Sequence, residues 1–166
     1  PIWTLHDKHS ASYDLLKTEW GKRICENLGY TGEKPWENRK CLSCHSNWHY
    51  GRPEKTPPSG VRSTVTSESC HGPSPQWLIP HDEASFRKVP VEEKEAKYGM
   101  INVRDPIRRV QQCLTCHVGN YEEGKVVTHE MYAAGHPPLP GIEIESFIEQ
   151  MPPHWRTLRE KGEFVH

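Results

Sequence analysis

Two segments of the chain share one spacing of cysteines and histidine, Cys41–His45 and Cys113–His117. Two thiols separated by two residues can add to the two vinyl groups of a haem, and the histidine that follows then becomes an axial ligand of the iron. A random chain of this length and composition would contain only about 0.01 such patterns. The two copies therefore predict covalently attached c-type haem. The attachment and ligand residues that they predict are Cys41, Cys44, Cys113, Cys116, His45 and His117.

A third segment, Ser67–His71, ends in the same Cys-His pair but has serine in place of the first cysteine. A hydroxyl group does not add to a haem vinyl group as a thiol does. A haem bound here would therefore be attached by a single thioether to Cys70, with His71 as its ligand. The alternative, on the motif alone, is a Cys-His pair in a loop with no cofactor.

The composition favours a fold built around a cofactor. The 166 residues are only 34% hydrophobic, with a mean hydropathy of -0.83, and 15 prolines and 12 glycines interrupt the chain. These values are low for a domain that relies on side chains for its core. The apolar faces of porphyrins would supply the missing hydrophobic surface. Eleven histidines leave eight, beyond the three in the motifs, as candidates for the opposite axial positions.

The charge and hydropathy of the chain exclude some partners. The formal net charge of -1 and the lack of a strong basic cluster argue against nucleic acid. Arg104, Arg108 and Arg109 are interpreted as a solvated helix face, with haem propionates or an acidic partner as the alternative. No apolar run has the length of a membrane span. Haem attachment to cysteine takes place outside the cytoplasm, and the chain starts with Pro1, so we expect a periplasmic or otherwise extracytoplasmic protein whose signal peptide has been removed.

The strongest helix prediction covers Ser12 to Leu28, with Ser12 as its N-cap and Gly29 as its stop signal. The apolar residues expected on one face of this helix are Tyr13, Leu16, Trp20 and Ile24. From Tyr30 to Pro90 the chain is rich in glycine, proline, serine and threonine, which predicts irregular loops around the cofactors.

Further helices are predicted at Val91–Tyr98, from Pro106 into Cys113, at Thr128–Ala134 and at Glu143–Met151. The expected fold is mainly α with extensive loops and little or no sheet. We interpret residues 1–166 as one compact multihaem cytochrome c domain organised around three haems, with a native polypeptide longer than this chain left open.

Several segments together resemble the multihaem cytochromes related to cytochrome c-554. Val65–Pro73 is similar to that family's Cys-Glu-Ser-Cys-His-Gly-Pro haem site, and Cys113–Gly119 is similar to its Cys-x-x-Cys-His-x-Gly site. The other segments that resemble relatives are Leu5–His9, Trp77–Leu78 with His81, Thr128–Met131, Ala133–Pro137 and Met151–Trp155. The resemblance covers most of the chain, and it implies a third haem at Cys70 and His71.

The resemblance also implies candidates for the distal ligands. His81, His129 and His136 lie in family motifs, and His6 and His9 are the next candidates. Which of them serves which iron stays open, and the default for His49, His154 and His166 is a solvated side chain. The carboxylates of Asp82 and Glu130, beside two of the candidates, would accept the free imidazole N–H groups.

Cys25 lies outside the motifs and is interpreted as a buried helix thiol. The alternatives are an intermolecular disulfide, an axial thiolate, or a thioether donor to the haem at Ser67.

The leading functional hypothesis is an electron carrier between redox partner proteins, with no catalytic residues of its own. Haems with two histidine ligands leave no coordination position for a substrate. Exposed haem edges would also permit a homo-oligomer with haem contact between subunits. A second hypothesis is an enzyme that acts on nitrite, hydroxylamine or nitric oxide at a five-coordinate haem. A third is a structural zinc site of four cysteines, Cys41, Cys44, Cys113 and Cys116.

Overall fold

Short helices joined by loops make up the fold. The structure, a computed structural model, describes residues 5–47 and 64–152. Its α-helices are α1 (Ser12–Leu15), α2 (Glu19–Asn27), α3 (Arg39–His45), α4 (Ser67–His71), α5 (Ala84–Arg87), α6 (Val91–Tyr98), α7 (Pro106–His117), α8 (His129–Ala133) and α9 (Ile144–Gln150). Short 3-10 helices lie at Lys8–Ala11, Pro35–Glu37 and Pro80–Asp82. Strand pairing in these two ranges is limited to one antiparallel bridge, between Asn120 and Lys125. The expected mainly helical fold with almost no sheet is confirmed for this part of the chain.

The predicted helix from Ser12 to Leu28 is interrupted. The chain turns between α1 and α2, where the Thr18 hydroxyl donates to the carbonyl of Leu15 at 2.7 Å and accepts from the backbone N–H of Gly21 at 3.2 Å. A Cβ at Gly21 would lie 2.8 Å from the carbonyl oxygens of Leu15 and Leu16, so the tight turn requires glycine. The capping propensity of threonine thus starts a new helix inside the predicted one.

Two residues of this segment have roles other than the predicted ones. The N-cap of α1 is Ala11, and the hydroxyl of Ser12 instead donates to the carbonyl of His45 at 3.0 Å. Trp20, predicted on the buried face, is 64% exposed, and its indole N–H donates to the carbonyl of Gly135 at 2.9 Å. Cys25 is the buried residue of α2, as the interpretation of a buried thiol required.

The hydrophobic core lies against the first cysteine motif. Tyr13 and Leu16 from α1 and the turn after it pack on Leu42 of α3, and the partly buried Trp36 and Cys41 complete the cluster. Leu42 is only 1% exposed. Burying a leucine side chain stabilises a fold by about 2 kcal/mol, so the first motif is itself a structural element of this core.

The two motifs before residue 90 lie on helices and not in irregular loops. Asn38 caps α3 by accepting the backbone N–H of Lys40 at 2.9 Å. Thr66 caps α4 in a reciprocal capping box with Ser69. The prediction of loops from Tyr30 to Pro90 was wrong at these points because polar side chains start helices of five and seven residues there.

The later helices agree with their predictions. α6 spans Val91–Tyr98 and ends at Gly99, whose φ of 67° is left-handed. α7 begins at Pro106 behind the N-cap Asp105 and runs through Cys113 to His117. The helices predicted at Thr128–Ala134 and Glu143–Met151 are present as α8 and α9, with those terminal residues as caps.

Candidate haem-binding sites

The three motif segments share one backbone arrangement. In each, the histidine is the last residue of a helix, and the next residue donates its N–H to the carbonyl of the residue three before the histidine. The bonds are Ser46 N to Leu42 O at 3.1 Å, Gly72 N to Glu68 O at 2.9 Å and Val118 N to Leu114 O at 3.0 Å. The segment with serine in place of the first cysteine therefore has the same local fold as the two complete motifs.

The histidine of the first motif faces a histidine from near the C-terminal end of the described chain. The ring centres of His45 and His136 are 6.4 Å apart, with an angle of 81° between their planes. His45 Nδ1 lies 2.8 Å from the carbonyl oxygen of Ser12, and His136 Nδ1 lies 2.7 Å from that of Pro137. A carbonyl only accepts hydrogen bonds, so both rings carry their proton on Nδ1 and leave the Nε2 lone pair available to a metal.

Two side chains of α2 hold the segment that carries His136. The Trp20 indole donates to the carbonyl of Gly135, and the Asn27 amide donates to the carbonyl of Ala134, both at 2.9 Å. Gly135 has a φ of 109°, which turns the chain directly after α8. The position of His136 is therefore set by contacts across more than 100 residues of sequence.

The histidine of the last motif faces a histidine from the start of the chain. The ring centres of His9 and His117 are 6.0 Å apart, with an angle of 88° between their planes. The buried carboxylate of Asp7 accepts from both the backbone N–H and the Nδ1 of His9, at 2.9 and 2.8 Å. Phe147 of α9 packs edge-on against His117, with ring centres 5.6 Å apart.

Both imidazole pairs have the spacing that a shared axial metal requires. With metal–nitrogen bonds of about 2 Å on each side, two imidazoles on opposite faces of one iron have ring centres about 6 Å apart. The separations of 6.0 and 6.4 Å match this value. The residues present thus fit haem iron at these two places, where a motif histidine and one remote histidine could hold it.

The electrostatics of the two motif histidines favour the metal-binding form. Burial lowers the pKa of His45, and burial followed by the nearby His9 lowers the pKa of His117. A lowered pKa keeps an imidazole neutral at physiological pH, and the neutral ring is the one that binds metals.

The cysteines of different motifs meet in one region. The Cys44 and Cys116 thiols are close enough to act on each other's titration, which raises the pKa of Cys44 and lowers that of Cys116. Both line a small pocket together with Ser69 and the buried Lys125. Burial raises the pKa of Cys70 to about 12, and its further ionisable neighbours are Cys113, Asp7 and Cys116. Each of the three motifs therefore contributes at least one cysteine to this region.

The zinc hypothesis finds no support in this arrangement. Within residues 5–47 and 64–152, no group of three or more histidine, cysteine or acidic side chains could hold a metal ion. Cys44 lies near Cys116, whereas the residues whose charges affect the pKa of Cys41 are Cys25, Glu33 and Lys40. Burial also raises the pKa of Cys41 to about 11, unlike that of a cysteine poised as a nucleophile.

The surroundings of the third motif are aromatic. Trp77 is 3% exposed and contacts both His71 and His81, with ring centres 6.2 and 5.6 Å away. His81 Nδ1 donates to the carbonyl of Leu78, and its Nε2 lies 3.4 Å from the Asp82 carboxylate. Asp82 is thus beside His81 as expected, but it contacts the nitrogen that would bind a metal.

Gly72 fixes the backbone that follows the third motif. A Cβ at this position would lie 2.6 Å from the carbonyl oxygen of Gly99, and the φ of 81° is left-handed. The close approach allows the N–H of Ile101 to donate to the carbonyl of His71 at 2.9 Å. The loop after α6 is thereby attached to the third motif.

The remaining predicted histidines are placed elsewhere. His6 is exposed, and His129 is exposed at the start of α8 behind the N-cap Thr128. The structure therefore does not bring these two rings to a motif histidine as it does His9 and His136. His49, His154 and His166 lie outside the described residues, as does part of the Met151–Trp155 segment.

Asp7 is the functional candidate that sequence reasoning missed. Its position two residues before His9 is the signal in the sequence, whereas the predicted acceptors Asp82 and Glu130 directly follow other candidate histidines. Glu130 is exposed. Of the arginines, Arg109 donates to the carbonyls of Val103 and Arg104, and Arg108 lies 3.6 Å from the Glu95 carboxylate.

Comparison with known proteins gives one family. Residues 2–72 match the family model described as cytochrome c554 and c-prime. No match is found among curated proteins or among solved structures. The matched range includes His9, the first complete motif and the altered third one. In the part of the chain that the structure describes, no helix combines the length and apolar character needed to cross a membrane.

Proposed function

Since the match over residues 2–72 supports a c-type cytochrome family of this kind, we propose that the chain is a triheme electron-transfer cytochrome. Haem c, the covalently bound cofactor that such a family implies, supplies reversible one-electron oxidation and reduction when bound. The protein supplies the thioether attachments, the axial ligands, and the burial and charge that set each reduction potential.

We assign residues to each haem from the motifs and the facing imidazoles. The first haem is attached to Cys41 and Cys44 and bound by His45 and His136. Another is attached to Cys113 and Cys116 and bound by His117 and His9. The remaining haem is attached to Cys70 by one thioether and bound by His71.

The spacing of the two imidazole pairs is the observation that carries the proposal. Ring centres 6.0 and 6.4 Å apart leave room for one iron and for no additional substrate on its axis. Two imidazoles fix the geometry of an iron in both oxidation states, so reorganisation on electron transfer is small. This arrangement suits an electron carrier better than a catalyst.

The meeting of the motifs supports transfer within the molecule. Cys44 and Cys116 line the same pocket, so the two cofactors attached to them would have neighbouring edges. Cys70 also lies near Cys113 and Cys116. Short edge-to-edge distances would let one electron enter at one site and leave from another.

We further propose redox proteins as donor and acceptor and an extracytoplasmic location, which is typical of such cytochromes. In this proposal residues 1–166 form a single domain. Haem edges at the surface would also allow transfer between subunits of a homo-oligomer.

The haem count tests the proposal most directly. The chain is produced with c-type haem maturation, and its pyridine haemochrome content and intact mass are measured. We expect three haems. Cys70→Ser should lower the intact mass by that of one haem, whereas the matched control Ser67→Ala should retain all three. A protein with two haems and an unchanged count in Cys70→Ser would refute the third site.

Ligand variants test the assigned pairs. His136→Ala and His9→Ala should each convert one low-spin haem into a form that binds carbon monoxide, whereas His129→Ala should not. Carbon monoxide binding by the unmodified protein would instead support the second hypothesis, a five-coordinate haem that acts on small nitrogen compounds.

A further inference from the structure

The two imidazole pairs differ in what accepts their Nδ1 protons. In the pair of His45 and His136, both acceptors are neutral backbone carbonyls, of Ser12 and Pro137. In the other pair, the acceptor for His9 is the carboxylate of Asp7, at 2.8 Å. A hydrogen bond to an ionised acceptor is about twice as strong as one between neutral groups.

Asp7 is built into the fold as a fixed partner of His9. Its side chain is 2% exposed, and Oδ1 accepts both the backbone N–H and the ring Nδ1–H of the same histidine. This double contact sets the orientation of the imidazole and leaves Nε2 as the ligating nitrogen.

The second oxygen of Asp7 makes the energy of its carboxylate sensitive to nearby charge. Oδ2 is buried and has no hydrogen-bond partner among the described residues. A carboxylate in that position is costly unless positive charge lies nearby. An oxidised haem iron held by His9 would carry one positive charge more than a reduced iron, and so would compensate the carboxylate better.

We propose that Asp7 is a positioning residue that gives His9 imidazolate character and lowers the reduction potential of the haem attached to Cys113 and Cys116. This inference rests on the proposed ligation by His9 and His117. The haem attached to Cys41 and Cys44 has only neutral acceptors behind its ligands and keeps the higher potential. The difference gives electrons a preferred direction between the two sites.

Asp7→Asn in the full holoprotein tests the proposal. The amide keeps the size of the side chain and an acceptor oxygen but removes the charge. We expect the oxidised-to-reduced ratio of one haem at a fixed potential to fall about tenfold, a rise of about 59 mV in its midpoint. Redox titration followed by electron paramagnetic resonance resolves the individual haems, and the low-spin signal of the same haem should move.

Two controls separate this effect from others. Asp14→Asn removes an equal charge from an exposed side chain that pairs with Lys17. This variant should shift the midpoint potentials of all haems by the same small amount. Asp7→Glu keeps the negative charge, so the midpoint potential of this haem should stay close to that of the unmodified protein. Unchanged midpoints in Asp7→Asn, or an equal shift of every haem, would overturn the role of Asp7.

His9→Ala distinguishes failure of this inference from failure of the proposed function. If that variant keeps every haem low-spin, His9 is not a ligand and the assigned pair is wrong. If it produces one high-spin haem while Asp7→Asn changes no potential, the ligation stands and only the role of Asp7 is refuted.

Discussion

The two complete motifs have the same sequence pattern but different structural surroundings. Helix α3 buries Leu42 and Ser43 and joins the hydrophobic core, whereas α7 has no fully buried residue. The histidine of α3 is held by the carbonyl of Ser12, while the partner of the α7 histidine is held by the Asp7 carboxylate. The same pattern therefore lies in a helix of the hydrophobic core in one case, and in a less buried helix whose histidine faces an aspartate-bound imidazole in the other.

Removing the attachment cysteines should show the largest contrast. Replacing Cys41 and Cys44 together by serine should prevent stable folding, because the first haem and the core share α3. The same change at Cys113 and Cys116 should leave a folded protein with one haem fewer. Far-UV circular dichroism during heating, together with haem content, measures both outcomes. If the protein with Cys41 and Cys44 replaced folds with unchanged stability, the expected difference between the two motifs is wrong.

Leu42 and Leu114 are the second residues of the two complete motifs, so their alanine variants compare how tightly the two helices are packed. Leu42→Ala should lower the free energy of unfolding by about 3 kcal/mol, because a buried leucine leaves a cavity. Leu114 is only partly buried, so Leu114→Ala should cost about 1 kcal/mol. Denaturant unfolding of the two holoproteins measures the difference, and equal losses would show that both helices belong equally to the core.

Glycine substitutions extend the comparison to the third motif. Gly29 and Gly72 have φ of 86° and 81°, but a Cβ would meet nothing within 4 Å at Gly29 and the Gly99 carbonyl at 2.6 Å at Gly72. Gly29→Ala should cost about 1 kcal/mol from backbone strain alone. Gly72→Ala should cost about 2 kcal/mol. In a thermal melt, only the second should also perturb the absorption of the haem at Cys70.

The smallest effects should come from two serines that support the two imidazole pairs. The hydroxyl of Ser12 donates to the carbonyl of His45 at 3.0 Å, and that of Ser10 donates to the carbonyl of Asp7 at 2.7 Å. Each change to alanine should cost about 1 kcal/mol of stability. Redox titration should show a shift confined to the first haem in Ser12→Ala and to the haem at Cys113 and Cys116 in Ser10→Ala. A shift of the same haem by both variants would contradict the separation of the two sites.

Local signals were sufficient for several helices. The helix start at Pro106 and the helix end before Gly99 both lie where they were predicted. The helix from Ser12 to Leu28 failed because the apolar period continues across Thr18, whose capping bond interrupts the helix there. Ser12 was misassigned for a related reason, since its hydroxyl has a distant acceptor on His45.

The sequence by itself determined the chemistry: the motif spacing predicts thioethers and an axial histidine within one turn of chain, where covalent geometry leaves little freedom. Tertiary structure alone decided which remote histidine faces which motif. His9 and His117 are 108 residues apart, and His45 and His136 are 91 apart. Such pairs depend on contacts like those of Trp20 and Asn27 with the segment before His136, and no local pattern records them. The same holds for Asp7, because only the tertiary structure shows that its carboxylate is buried and hydrogen-bonded to the imidazole that faces His117.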